Sequence, residues 1–416
     1  MNQIHLDEIH NKIKQKLNEI DTHLANQEKE GLKEPIQLLR DIQKDTISKL
    51  DSFNQNAEWD TFTIAFYGET NAGKSTLIEA LRIYFKEKTK MNSWSEFKNI
   101  HESFTKQKES LEQNIHEQKQ VIETLSGHIM EQTTLEEQKR KSFWYRLFSF
   151  FNTHSLAKQI KNLKKELDNN QSLYNQAEES LQSLLDNQDK DRLIPLSDGK
   201  IIGDGRSDFT REVTSYTFNA NNQKFQILDV PGIEGDESLV SDSILSAARK
   251  AHCVFYITRS PTPPQKGDDN KKGTLEKIKE HLDAQTEVYS IFNKPITNPR
   301  QLEQALVNDG EKQSLQVLDE KMQEALGEHY VGRKELSARV AFLALAECLF
   351  AEREKREKAK FLDKYDSTSL LQKSSFKEFA DFIARDLVIN AQTKIKISQY
   401  NKTGEILNNL QESLTN

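Results

Sequence analysis

Lys74 and Ser75 close the run Gly68-Glu69-Thr70-Asn71-Ala72-Gly73-Lys74-Ser75-Thr76. A glycine, four residues, a second glycine, a lysine and a hydroxyl residue form the spacing of a phosphate-cradling loop. Each residue type has a task in that chemistry. Glycines let the main chain wrap closely around an anion. Amides at the start of a following helix aim partial positive charge at it. Lys74 reaches the β- and γ-phosphates, and the Ser75 hydroxyl ligates Mg²⁺. The pattern therefore predicts Gly68, Asn71, Ala72, Gly73, Lys74, Ser75 and Thr76 as nucleotide-binding residues. The flanks agree. Thr61 to Tyr67 is a β-branched and aromatic run that reads as a buried strand, and Leu77 to Leu81 reads as the opening of a helix. A plain glycine turn between strand and helix has no use for the Lys-Ser pair.

A second acidic motif lies downstream. Phe225 to Gly232 reads as a strand ending in Asp-x-x-Gly. There Asp229 would hold Mg²⁺ through water, and the Gly232 amide would contact the γ-phosphate and sense its loss. Ile233 follows, where a glutamine would orient the attacking water. Hydrolysis is expected to be slow unless another group, such as one from a partner subunit, completes the site. Before this strand, Gly203 to Val213 is a polar, glycine-containing loop whose Thr210 is the candidate switch threonine. Its hydroxyl would meet Mg²⁺ and its amide the γ-phosphate. Thr214 and Thr217 are rivals, although Val213 to Phe218 alternates like a strand. Lys74, Thr210 and Gly232 form the expected catalytic set, and Ser75, Thr210 and Asp229 the expected metal set.

The base would be met further on. Cys253 to Thr258 reads as a buried strand, followed by a Pro- and Gly-rich loop from Pro261 to Gly273. Glu287 to Phe292 leads into Asn293-Lys294, which fits the start of a base-binding Asn-Lys-x-Asp motif, but Ile296 stands at the aspartate position. The carboxylate that receives the N1 and N2 protons of guanine is thus missing. Lys294 is expected to stack over the base and Asn293 to support the loop. Ser337-Ala338 falls in the right order for the loop whose backbone contacts the base.

The elements that must position these residues occupy part of a 416-residue chain of formal net charge −7, with 30% charged residues. Its mean hydropathy is −0.76 and its pI near 5.9. That balance argues against broad, sequence-independent nucleic-acid binding. Of the two cysteines, Cys253 sits in a strand-like run and Cys348 in an apolar helix-like run, and both read as small core residues. The N-terminus lacks the apolar region of a signal peptide, and no run nears the roughly 20 apolar residues that span a bilayer. A cytoplasmic location is expected, with peripheral membrane attachment as an extension.

Residues 1–56 read as an N-terminal helical arm and 57–90 with 191–345 as the nucleotide domain. Between them, 91–190 reads as an inserted antiparallel coiled-coil hairpin, and 346–416 as a C-terminal helical segment. The descending arm carries Phe104, Leu111, Ile115, Ile122, Leu125 and Ile129, and the returning arm Leu156, Ile160, Leu163, Leu167, Tyr174, Ala177, Leu181 and Leu184. An arm of about 33 residues would project ~50 Å. The tip at 139–151 concentrates Phe143, Trp144, Tyr145, Phe148, Phe150 and Phe151 among basic residues. Docking on an anionic membrane suits that composition. A self-association patch, a partner-protein site and a tip tucked into its own fold are the other readings. Leu407, Leu410 and Leu414 mark a C-terminal stripe expected to lie against the N-terminal arm.

Together these motifs resemble a translation-factor-class (TRAFAC, Era-type) GTPase domain. The phosphate-loop sequence and the helical arms are most similar to bacterial dynamin-like GTPases of the LeoA type. The resemblance covers about residues 55–85 and 195–390. It implies an α/β fold with a doubly wound P-loop GTPase domain, to which the helical periodicities above add N- and C-terminal helical arms and a long antiparallel coiled-coil hairpin insertion. It further implies GTP and Mg²⁺ as ligands, GDP as product, self-association as a homo-oligomer or with a paralogous subunit, and work at a membrane. The hairpin's place between phosphate loop and switch departs from that family. Two other readings stand beside it. Coiled coil between a phosphate loop and an acidic motif is also the layout of SMC- or Rad50-like ATPases acting on DNA, although Asp229 is followed by Val230 rather than glutamate. A nucleotide-binding scaffold with negligible turnover fits Ile233 and Ile296.

Overall fold

The computed structural model describes residues 2–25, 33–141, 153–186, 190–202, 213–232, 237–265, 267, 273–282 and 287–415. Two compact units divide the chain, Met1–Asn92 with Asp198–Asn416, and Ser93–Ser197.

The first unit is α/β. Its sheet has six strands: β1 (Phe62–Gly68), β2 (Thr214–Ala220), β3 (Gln223–Asp229), β4 (Cys253–Thr258), β5 (Val288–Asn293) and β6 (Tyr330–Leu336). Their order is β2-β3-β1-β4-β5-β6. All neighbours run parallel except β2, which is antiparallel to β3. The β2–β3 hairpin turns on Asn221 and Asn222, with φ of 51° and 60°. Asparagine tolerates that left-handed region better than other non-glycine residues, and such pairs suit two-residue hairpins.

β1 lies between β3 and β4 and is buried along its whole length. Successive side chains of a strand point to opposite faces, so burial along the whole strand means cover on both sides. On one face Ala65 and Tyr67 join Ile244, Ala247, Ile278, Leu315, Leu318 and Met322. These come from α7 (Glu237–Lys250), α8 (Thr274–Leu282) and α9 (Asp309–Leu326). On the other face Phe66 meets Phe255 edge-on at 5.5 Å, and Phe255 meets Phe379 at 5.3 Å. Helices α3 (Lys74–Tyr84), α10 (Ala338–Leu345) and α13 (Phe376–Phe382) cover that side, with α11 (Glu352–Leu362) and α12 (Ser367–Lys373) between the last two in the chain.

Register places the chemistry. Phe66 of β1 pairs with Asp229 of β3, and Gly68 with Ile257 of β4. Asn293 pairs with Leu336 of β6. The ends of β1, β3, β4, β5 and β6 therefore gather at the carboxyl edge of the sheet, where ligands of parallel α/β sheets bind.

Helices α1 (Asn2–Ala25), α2 (Lys33–Asn56) and α14 (Ala391–Thr415) pack together. Buried His10 of α1 joins the other two, through Asn54 Oδ1 at 2.8 Å and Thr403 Oγ1 at 3.0 Å. Leu410 of α14 shares a groove with Ile42 and Thr46 of α2.

Helix α4 (Lys88–Lys141) begins in the first unit and runs on into the second. At its start lies a buried ionic cluster. Lys90 Nζ contacts Glu79 at 2.7 Å and Asp198 at 2.6 Å, and Arg82 contacts Glu79 and Glu87 at 3.0 Å each. Asp198 Oδ2 also accepts from the amides of Glu347 and Cys348, at 2.8 and 2.7 Å. This corrects the expectation of helix around Cys348. α10 ends at Leu345, and the next residues stay non-helical because a buried carboxylate takes the amides that a helical turn would have used. Both cysteines are buried and free.

The second unit contains most of α4, α5 (Thr153–Asp186) and α6 (Lys190–Leu196). Leu111 of α4 and Gln176, Ser180 and Leu184 of α5 line one groove. Leu125, Ile160 and Ala177 are buried. Among the described residues no helix is long and apolar enough to cross a membrane. The aromatic residues Phe143, Trp144, Tyr145, Phe148, Phe150 and Phe151 lie outside the described residues.

Candidate functional site

The loop between β1 and α3 is shaped by its glycines. Gly68 has φ +144°, and a Cβ there would stand 2.2 Å from the Ile257 carbonyl oxygen. Gly73 has φ +88° and a Cβ would stand 2.3 Å from Asn293 Nδ2. Neither position admits a side chain. Asn71 adopts φ 61°, and the Ala72 amide donates to the Glu69 carbonyl at 3.2 Å. Gly73 caps α3, whose first residues are Lys74, Ser75 and Thr76. Buried Lys74 folds back over the loop, donating from Nζ to the Gly68 and Glu69 carbonyls at 2.9 and 2.8 Å. The first amides of a helix have no intrahelical partner, so this loop offers donors and one lysine at one place.

Asp229 stands beside it at the end of β3. Ser75 Oγ donates to Asp229 Oδ2 at 2.9 Å, across 154 residues of chain. Burial pushes the Asp229 carboxyl up to about 6, against the lowering effects of the Ser75 hydroxyl and the Lys74 charge. Its Oδ1 is buried with no hydrogen-bond partner, as is Thr70 Oγ1. Gly232 presses on the same loop, since a Cβ on it would lie 2.5 Å from Thr70 Oγ1. Two acceptor oxygens without donors, one a carboxylate, suit a hard cation.

On the opposite side of the loop, buried Asn293 links two segments. Its Nδ2 donates to the Ala72 carbonyl at 2.8 Å. Its Oδ1 accepts from the Ala338 amide at 2.9 Å. Ser337 is fully buried, and its Oγ has no hydrogen-bond partner. Lys294 points elsewhere than expected: its Nζ pairs with Glu311 at 2.6 Å. Glu311 also caps α9 by accepting from the Asn308 amide. Ile296 is 1% exposed and belongs to the core.

The structure thus brings together Gly68, Asn71, Ala72, Gly73, Lys74, Ser75, Thr76, Asp229, Gly232, Asn293, Ser337 and Ala338, and directs the Lys294 side chain to Glu311. Thr210 and Ile233 lie outside the described residues. Three contributors were not legible as site residues. The Glu69 carboxylate accepts from Tyr256 Oη at 3.0 Å and from Thr258 Oγ1 at 3.3 Å, tying the loop to β4. Thr70 fills the space beneath Gly232. Arg259 donates from Nη1 to the Asn71 carbonyl at 3.3 Å. The signal for Arg259 was its place directly after a buried strand that neighbours β1. Compared with known proteins, the chain matches no family model and no curated sequence.

Proposed function

We propose that this chain is a P-loop nucleoside-triphosphate switch that binds and slowly hydrolyses GTP, of the dynamin-like kind its motifs resemble. The observation that carries the reading is Asn293. One side chain joins the Gly-Lys-Ser loop to the Ser-Ala loop, and three motifs read separately from the sequence meet in it. Lys74 and the amides opening α3 bind the phosphates, while Ala338 and its neighbours face the nucleoside. The orphaned Asp229 Oδ1 and the Ser75 hydroxyl are the residues that would hold Mg²⁺. Bound there, the ion neutralises charge on the phosphate oxygens. Gly232, in contact with Thr70, is the element that responds to the γ-phosphate, and Thr210 is its partner switch.

The proposal extends to the paired helices α4 and α5 as a coiled-coil hairpin whose tip docks on an anionic membrane, and to self-association that supplies the water-activating group. The core of the reading is tested by equilibrium binding of labelled GTP and ATP with Mg²⁺, to the full chain and to Lys74→Ala. Retention by the full chain and a loss of about 100-fold or more in the variant is expected, since a charge-assisted contact to phosphate is removed. No retention by the full chain, or equal retention by both, overturns it. Liposome-stimulated turnover tests the membrane extension, and turnover indifferent to anionic lipid removes it.

A further inference from the structure

Lys294 is drawn away from the place the motif order assigns to it, and Arg259 stands against the loop instead. Asp229 and Ser75 mark the phosphate end of the site, and Asp229 lies on the β3 side of β1. β4, β5 and β6 lie on the other side. A triphosphate whose tail sits between Lys74 and Asp229 must extend its nucleoside over the ends of β4, β5 and β6. Arg259 directly follows β4, is exposed, and touches the loop at Asn71, next to the Ala72 carbonyl that Asn293 holds. Lys294 directly follows β5 but is held by Glu311, with both side chains about four-fifths buried. Withdrawing it would leave the largely buried Glu311 without its cation, which is costly.

We propose that Arg259 is the cation that covers the nucleoside, in a site where Ile296 stands in place of the guanine-reading carboxylate, so that purine nucleoside triphosphates bind with weak discrimination between guanine and adenine. This rests on the phosphate-loop reading above. The guanidinium is planar, stays charged, and can stack on a flat ring or donate to a sugar oxygen. The Arg259–Asn71 contact, at 3.3 Å and exposed to solvent, is easily exchanged for such a partner. Guanine differs from adenine in its N1 and N2 donors and its O6 acceptor. A buried acceptor aimed at those donors rejects analogues lacking them by large factors. Ile296 removes that acceptor, being a hydrocarbon side chain turned into the core. The Oε2 atom of Glu311 is taken by Lys294 Nζ and by the Asn308 amide.

The experiment is calorimetric titration of the full chain and of Arg259→Ala with GTP, ATP and inorganic tripolyphosphate, each with Mg²⁺. Affinities for GTP and ATP within about tenfold of each other are expected. Arg259→Ala is expected to weaken both nucleotides about tenfold and to leave tripolyphosphate unchanged. A GTP preference above about 100-fold overturns the proposal. So does an unchanged nucleotide affinity in Arg259→Ala, or an equal loss for tripolyphosphate, which would make Arg259 a phosphate ligand. If tripolyphosphate and both nucleotides fail to bind the unaltered chain, the phosphate-loop reading itself falls.

Discussion

Asn293 and Ala72 stand 221 residues apart in sequence, yet the side-chain amide of one donates to the carbonyl of the other at 2.8 Å. The same amide occupies the space where a Cβ on Gly73 would lie. The loop and the end of β5 are therefore fitted to each other, and neither can shift without the other.

Asn293→Ala should expose that dependence. It leaves the Ala72 carbonyl and the Ala338 amide without their partner, and buried polar groups left unpaired cost about 1–3 kcal/mol each. Urea unfolding should show a loss of about 2–3 kcal/mol in stability. Affinity for Mg²⁺-GTP should fall about 10- to 100-fold, because the loop no longer holds its bound geometry. Unfolding behaviour and affinity both equal to those of the unaltered chain would show that the bridge does not organise the site.

Asp229 gives a prediction with a pH signature. An aspartate ordinarily titrates near 3.8, and burial raises this one to about 6. Between those values the folded chain holds a proton that the unfolded chain has lost. Stability attributable to this group therefore falls as pH rises from about 4 to about 6, and stays low above that. Asp229→Asn removes the charge and the titration. Without Mg²⁺ it should be more stable than the unaltered chain at pH 8, by at most about 3 kcal/mol, with the difference vanishing near pH 4. Urea midpoints at several pH values read this directly. The same substitution should remove any stabilisation by added Mg²⁺. A variant less stable at pH 8, or one still stabilised by Mg²⁺, would contradict the assignment.

The strands that carry the site were legible because they are buried on both faces. β1, β4 and β5 are runs dominated by apolar and aromatic residues, and such runs read as strands wherever they are bounded by glycine or polar residues. β6 was less legible. Only Tyr330 and Val331 look strand-like, since Gly332 to Glu335 are partly exposed at the sheet edge and need no apolar pattern. The Gly-Lys-Ser loop and Asp229 were legible because their chemistry depends on spacing within one segment. Pairings across segments were not. Nothing in Lys294 announces Glu311, and nothing in Glu79, Arg82, Glu87, Lys90 and Asp198 marks them as one buried cluster. A charged residue reads as solvated until the fold supplies its partner. Cys348 misled for a related reason. Its neighbours are apolar enough for a helix, but Asp198, 150 residues earlier, takes its amide.

Lys402 lies at the other end of the sheet and makes the last prediction. It sits on α14, almost wholly buried, and its Nζ donates to the Arg249 and Ala251 carbonyls at 2.7 and 2.6 Å. Those carbonyls end α7, the helix that follows the Asp229 segment, and an amine there satisfies acceptors a helix leaves open. Burial pushes the Lys402 amine down to about 7, with the nearby Glu405 acting weakly in the other direction. An unfolded lysine keeps its proton to about 10.5. Between those values the unfolded chain holds more protons, so stability from this group rises with pH across that window. The facing His252 is held near 3, by burial and then by the Lys402 charge, and does not titrate there. Lys402→Met keeps the stem of the side chain but loses both hydrogen bonds and the titration. At pH 9 the variant should be about 1–3 kcal/mol less stable, the cost of leaving buried carbonyls unpaired. At pH 6, where the buried charge of the unaltered chain is at its most costly, the gap should narrow or reverse. Equal pH slopes in urea midpoints from 6 to 9 would mean that Lys402 keeps its ordinary titration and that the α7–α14 junction is held by other contacts.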